Sequence, residues 1–170
     1  MHSRIYLIGF MGSGKTTHGR KIASMMGYGF VDMDEWIAGK EDLNIEEIFR
    51  KYGESYFREL ETRAIAEMHK LEKVVIATGG GAPAYGKNME LLKRSGLTIY
   101  LKLSPEALLS RLKTAQTKRP LLEGKTEAEM CQTIHEMLEE REVFYSMAHM
   151  VIDGLASVNE RVVNAIQRRT

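Results

Sequence analysis

Cysteine is almost absent from this chain of 170 residues, where Cys131 stands alone. A single thiol excludes an internal disulfide and any zinc site built on clustered thiolates, and it fits a reducing compartment such as the cytosol. An excess of one charge is missing too, since 24 Lys and Arg against 23 Asp and Glu leave a net charge of +1. No overall positive field is there to hold nucleic acid or an anionic membrane, so anionic ligands must be held locally. Long hydrophobic runs are lacking: Ile5 to Phe10 is too short to cross a bilayer and reads as a first strand. The five histidines are scattered without the paired helical spacing of a metal site. Internal repeats, low-complexity tracts and a coiled-coil seam are also missing, and the length suits one compact domain with one site.

What is present is ordinary for a globular protein, with 44% hydrophobic and 28% charged residues. Strand-like runs at "RIYLIG", "GFVD", "KVVIA", "LTIYLKL" and "MVID" alternate with helical stretches. That alternation predicts an α/β fold with a five-stranded parallel sheet, and the nearly continuous apolar character of the strands predicts helices on both faces. Ser104-Pro105 marks a helix start, while Thr126 with Glu129 and Ser157 with Glu160 read as capping boxes. Between the first two lies "TAQTKRPLLEGK", Thr114 to Lys125, too polar and too interrupted for a regular element. A connection of that length is either a lid or a merely solvated loop.

The chemistry is concentrated in three places. Gly9-Phe10-Met11-Gly12-Ser13-Gly14-Lys15-Thr16 satisfies the full phosphate-loop pattern between a strand and a helix. Its backbone N–H groups and helix N-terminus suit phosphate oxygens; Lys15 would reach the β- and γ-phosphates, and the Thr16 hydroxyl would meet Mg²⁺. After the second strand come Asp32 and Asp34. Residues two apart in a strand point the same way, so both carboxylates are expected to face the cleft, one toward a metal and one toward a substrate hydroxyl. The plain alternative is that Asp34 caps the next short helix while Asp32 is solvated. In "NIEEIFRKYGESYFRELE", Asn44 to Glu61, helical apolar faces are interrupted near Gly53. Arg58 and Glu61 there are either an exposed intrahelical pair or a grip on an anionic acceptor. Finally, "VVIATGGGA" runs a buried-looking strand into Gly79, Gly80 and Gly81, where a metal-holding acid would be expected in a nucleotide-binding protein.

The phosphate loop, the Asp32-x-Asp34 pair, "IFRKYGESYFRELE", "TGGG", "KRPLL" and "REVFY" come in the order seen in shikimate kinases, and the chain resembles that family over almost its whole length. The resemblance implies a three-layer α/β/α, P-loop NTPase fold of the nucleoside monophosphate kinase type. It implies one domain over residues 1–170, with a substrate-binding helical segment at about 33–61 and a mobile lid at about 113–125. It also implies MgATP-dependent phosphorylation of the 3-hydroxyl of shikimate by a cytoplasmic monomer of the aromatic amino acid pathway. In that reading Gly12, Ser13, Gly14, Lys15, Thr16 and Thr17 hold ATP, Arg111 packs against adenine, and Arg119 closes over the transferring phosphoryl group. Thr16 ligates the metal and Asp32 reaches it through water. Arg58 and Arg141 bind the acceptor carboxylate, Glu61 positions Arg58, and Asp34 takes the reacting hydroxyl. Phe49 and Phe57 wall the pocket, and Gly79, Gly80 and Gly81 offer backbone contact. Lys15, Asp34 and Arg119 are the catalytic set.

Bland alternatives accompany two more of these residues: Arg141 follows Glu139 and Glu140 on a charged helix, and Arg111 could be a surface charge. The chain departs from the family after the last strand, where Asp153 to Ser157 contain no basic residue. The rival readings are a gluconate or nucleoside monophosphate kinase of the same fold and a non-catalytic nucleotide-binding module.

Overall fold

The computed structural model of the chain describes residues 3–114, 122 and 124–168. Among them five strands form one parallel sheet: β1 (Arg4–Ile8), β2 (Gly29–Asp32), β3 (Val74–Ala77), β4 (Leu97–Lys102) and β5 (Met150–Asp153), in the order β2-β3-β1-β4-β5. Each falls within a run expected to be a strand. The register pairs Leu7 with Ala77 and with Ile99, which brings the carboxyl ends of β1 and β3 out side by side. A ligand crevice belongs at that edge of an open α/β sheet.

Among the described residues seven α-helices cover the faces: α1 (Lys15–Met26), α2 (Met33–Glu41), α3 (Ile45–Met68), α4 (Asn88–Ser95), α5 (Pro105–Thr114), α6 (Glu127–Tyr145) and α7 (Val158–Gln167). Side chains alternate across each strand, so the sheet feeds two cores. Ile5, Leu7, Val75, Ile99 and Leu101 pack with Ile22 of α1 and Val162 and Ile166 of α7. Tyr6, Ile8, Ile76 and Tyr100 pack with Ile65 of α3, Leu92 of α4, Leu108 of α5 and Ile134 of α6. Burial of β1, β3 and β4 is nearly complete, as the apolar runs imply, whereas the edge strands β2 and β5 are only partly covered.

Side-chain caps mark the starts of α2, α3, α5 and α6, whereas α1, α4 and α7 begin without one. Thr126 and Glu129 form the expected capping box, Ser104 Oγ accepts from Ala107 N–H at 3.2 Å, and Asn44 with Glu47 makes a second box at the head of α3. Ser157 does not cap α7: it lies in the left-handed region with φ 48° and its side chain bonds no helix N–H, so the Ser-x-x-Glu pattern is incidental there. Inside α3, Gly53 has φ 81° and ψ 174°, which breaks the helix into two halves. Of the segment expected to be a lid, residues 115–121 and 123 lie outside the described residues; Lys113 at its start makes an exposed 2.7 Å ion pair with Glu127, and Leu122 is buried. Among the described residues no helix is long and apolar enough to cross a membrane.

Candidate active site

A cavity of about 350 Å³ opens where β1, β2 and β3 end. The sequence places its parts by simple means. β1 runs into the glycine-rich turn and α1 begins at Lys15 with Gly14 as its cap, which sets Lys15, Thr16 and Thr17 on the cavity wall. The Lys15 ammonium is largely buried and donates to the carbonyls of Gly9 and Phe10, both at 2.8 Å, so it lies folded over the loop. Ser13 is fully buried, and its N–H donates to Phe10 O. Its backbone thus closes the turn, while its hydroxyl is buried without a hydrogen-bond partner among the described residues and does not line the cavity. Arg111 of α5 joins the loop from the far side, donating to Ser13 O at 3.2 Å and to Gly154 O at 3.1 Å. It is a tether between the phosphate loop and the segment after β5, not a loose surface charge.

The acidic pair is arranged differently from the strand argument. β2 stops at Asp32, and the Asp32 carboxylate caps α2 by accepting from the N–H groups of Asp34 and Glu35. Asp34 is thus in the first turn of a helix, and the two carboxylates reach one cavity because the chain turns between them. The capping alternative named the wrong aspartate: Asp32 is the cap, and neither carboxylate is merely solvated. The second oxygen of Asp32 accepts from the Thr16 hydroxyl at 2.6 Å. A hydroxyl and a carboxylate beside a phosphate loop are hard oxygen donors that suit Mg²⁺. The described residues contain no cluster of three or more His, Cys, Asp or Glu, so an ion there would draw its remaining ligands from phosphates and water.

The second half of α3 supplies the acceptor side. Phe49 and Phe57 face each other across the Gly53 break with ring centroids 4.8 Å apart. Arg58 is 8% exposed and Glu61 fully buried; they are paired at 2.7 Å, so this is not the exposed helical pair of the bland reading. Burial pushes the Glu61 carboxyl up to about 7 against the pull of Arg58, and the Asp34 charge adds to the rise. Its other oxygen, Oε1, is buried without a hydrogen-bond partner among the described residues.

Across from α3 lie the three glycines. A Cβ at Gly79 would strike the Glu61 carboxylate and sit 3.1 Å from Asp34 Oδ1. One at Gly81 would land on the face of the Arg58 guanidinium, and one at Gly80 would meet Met11 N of the phosphate loop at 3.1 Å. The glycines are therefore the seat on which the Arg58–Glu61 pair and the phosphate loop rest, a steric role in addition to the backbone contact expected. Tyr145 of α6 fixes this seat by donating its hydroxyl to Gly80 O. Burial raises the Tyr145 phenol to about 12, so it remains a donor at ordinary pH. One turn earlier, Arg141 is 9% exposed over the Phe10 ring at 5.6 Å, which overturns the solvated reading.

The cavity thus gathers Gly12, Gly14, Lys15, Thr16, Thr17, Asp32, Asp34, Phe49, Phe57, Arg58, Glu61, Gly79, Gly80, Gly81, Arg111 and Arg141. Arg119 lies outside the described residues. Met11, Ile45 and Thr78 line the cavity as well. Met11 and Ile45 are apolar and Ile45 reads in the sequence as core, while the Thr78 hydroxyl donates to Leu7 O at 3.2 Å.

The sequence matches the shikimate kinase family over residues 11–170. It is 40% identical over 163 residues to the shikimate kinase of Parabacteroides distasonis, covering 96% of this chain and 94% of that one. The crystal structure of shikimate kinase from Bacteroides thetaiotaomicron superimposes with a TM-score of 0.91 at 38% identity, over 99% of this chain and 98% of that one. The Acinetobacter baumannii shikimate kinase in complex with shikimate gives 0.87 at 35% identity, over 98% and 92%. Architecture, cavity and sequence agree on a nucleoside monophosphate kinase-like P-loop fold, and the chain belongs to the shikimate kinase family.

Proposed function

We propose that the cavity transfers the γ-phosphoryl group of ATP to the 3-hydroxyl of shikimate, giving ADP and shikimate 3-phosphate. One observation carries this reading beyond family membership: two buried guanidinium groups, Arg58 and Arg141, share a cavity with a phosphate loop and with Asp34. A non-catalytic nucleotide-binding module has no use for that combination.

Phosphoryl transfer asks a protein mainly for positioning and charge stabilisation. The loop amides, Lys15 and Thr17 hold the donor phosphates, and Arg111 braces the loop from the nucleotide side. Thr16 and Asp32 would hold Mg²⁺, which when bound offsets charge on the β- and γ-phosphates. Arg58 and Arg141 take the shikimate carboxylate, while Phe49 and Phe57 exclude water from the ring. Asp34 orients the 3-hydroxyl and accepts its proton as the new O–P bond forms and the bond from γ-phosphorus to the β–γ bridging oxygen breaks. Arg119, by resemblance, completes the charge around the transferring group, where a cationic finger supplies roughly 10³ to 10⁵ in rate. A general base typically contributes about 10² to 10⁴. The chain works as one domain, a cytoplasmic monomer whose segment at about 113–125 acts as the lid.

A coupled ADP-release assay with shikimate, quinate, gluconate and nucleoside monophosphates tests the reading. Stimulation by shikimate above the others is expected. ADP release that shikimate does not stimulate overturns it.

A further inference from the structure

Arg58 does more than pair with Glu61. A guanidinium carries five N–H donors in a fixed plane. Its Nη1 donates to Glu61 Oε2 at 2.7 Å, while Nη2 and Nε donate to a single oxygen of Glu54 at 2.8 and 3.2 Å. Three donors are engaged among the described residues, and five less three leaves one N–H on each terminal nitrogen. Two N–H groups on the terminal nitrogens match the two oxygens of a carboxylate.

The face of the guanidinium is fixed independently, because it lies against Gly81 where a Cβ would collide with it. Glu54 holds the edge. It is the first residue after the Gly53 break, so it sits at the amino end of the second half of α3, where a carboxylate is favoured by the helix dipole, four residues before Arg58. Half exposed and outside the cavity lining, Glu54 does not itself meet a ligand there.

We propose that Glu54 is a positioning residue for acceptor specificity: it clamps the Nε edge of Arg58 so that the terminal N–H groups are presented to the carboxylate of the acceptor. This rests on the shikimate reading above. Without Glu54 the guanidinium keeps one tether, at Glu61, and can pivot on the Gly81 surface. The acceptor carboxylate then meets an arm that must be ordered on binding, and the loss falls on acceptor affinity and not on the donor side.

The test compares wild type, Glu54→Ala and Glu54→Gln with shikimate and with an analogue whose carboxylate is reduced to the alcohol. Glu54→Ala is expected to raise the shikimate KM about 10-fold with the ATP KM and kcat within about twofold. Glu54→Gln, which keeps an acceptor oxygen at the same reach, should recover most of that loss. Neither variant should change kcat/KM for the alcohol, which has no carboxylate to grip. A shikimate KM that is unchanged or lowered overturns the proposal, the lowered value showing that Glu54 competes for Arg58. Equal losses with shikimate and the alcohol overturn it too, by revealing a general structural role. A wild type without shikimate-dependent ADP release would instead bring down the underlying reading, and this inference with it.

Discussion

Glu61 has no exposed surface, and only one of its two oxygens is bonded among the described residues. The cause is its partner: Arg58 is useful in the cavity only if its guanidinium is steadied, and Glu61 does this from beneath, over Gly79. Burial lifts the Glu61 carboxyl from its ordinary range to about 7, so the folded chain holds this proton more tightly than the unfolded chain does. The associated stability is fully present below about pH 4.5 and is lost as pH rises to about 7, levelling above that. Glu61→Gln should therefore flatten the stability curve between pH 5 and 7, removing a slope that totals at most about 3 kcal/mol. Urea unfolding of both proteins at intervals across that range checks this; parallel curves would mean Glu61 is ionised throughout. Residue types were legible in the sequence at this scale, because Arg58, Glu61 and Arg141 stand in recognisable strings. Their burial was not, since it comes from packing against the glycine turn after β3 and the phosphate loop, residues far away in the chain.

Elements were read more completely than their junctions. All five strands lie within the expected runs; β1, β3 and β4 are buried on both faces and leave a continuous hydrophobic trace, whereas the partly covered edge strands β2 and β5 leave a shorter one. Asp32 and Asp34 show what such a trace cannot resolve: an aspartate that ends a strand is also a good helix cap, and the cap prevailed. Both carboxylates do reach the cavity, through the turn between them and not through the strand pleat. Gly53 was legible as an interruption, and its geometry explains why no other residue serves. With φ 81° and ψ 174° it occupies a region that side-chain-bearing residues rarely adopt, although a Cβ there would meet open space. Gly53→Ala should cost about 1 to 3 kcal/mol through backbone strain alone. It should also raise the shikimate KM, because the break sets Phe49 against Phe57 and places Glu54 ahead of Arg58. Urea unfolding and steady-state kinetics on the same preparation measure both, and a variant with unaltered stability would show that the break relaxes without penalty.

On the scale of the whole molecule, the donor and acceptor sides differ in how they are assembled. Lys15, Thr16 and Asp32 come from the first three elements, whereas the acceptor side draws on α2, α3, the turn after β3 and α6. A ligand bridging those elements must stabilise the global fold and not one segment of it. Shikimate at about 100 times its Kd should raise unfolding free energy by about 2.7 kcal/mol. Slowly exchanging amides of β1, β3 and β4 should gain protection together; protection confined to α3 would show that binding is a local event.

The sheet order also sets a timetable during synthesis. β1 is finally flanked by β3 and β4, so the strand that carries the phosphate loop waits for about a hundred residues before both of its neighbours have been made. Its hydrogen-bonding edges are open in the meantime, a state in which strands are prone to mispair. Arg141 emerges later still. A ribosome-bound chain therefore acquires its phosphate-binding residues long before it has both arms of the acceptor grip, and during that interval it holds the parts of a nucleotide site with no complete place for the molecule to be phosphorylated.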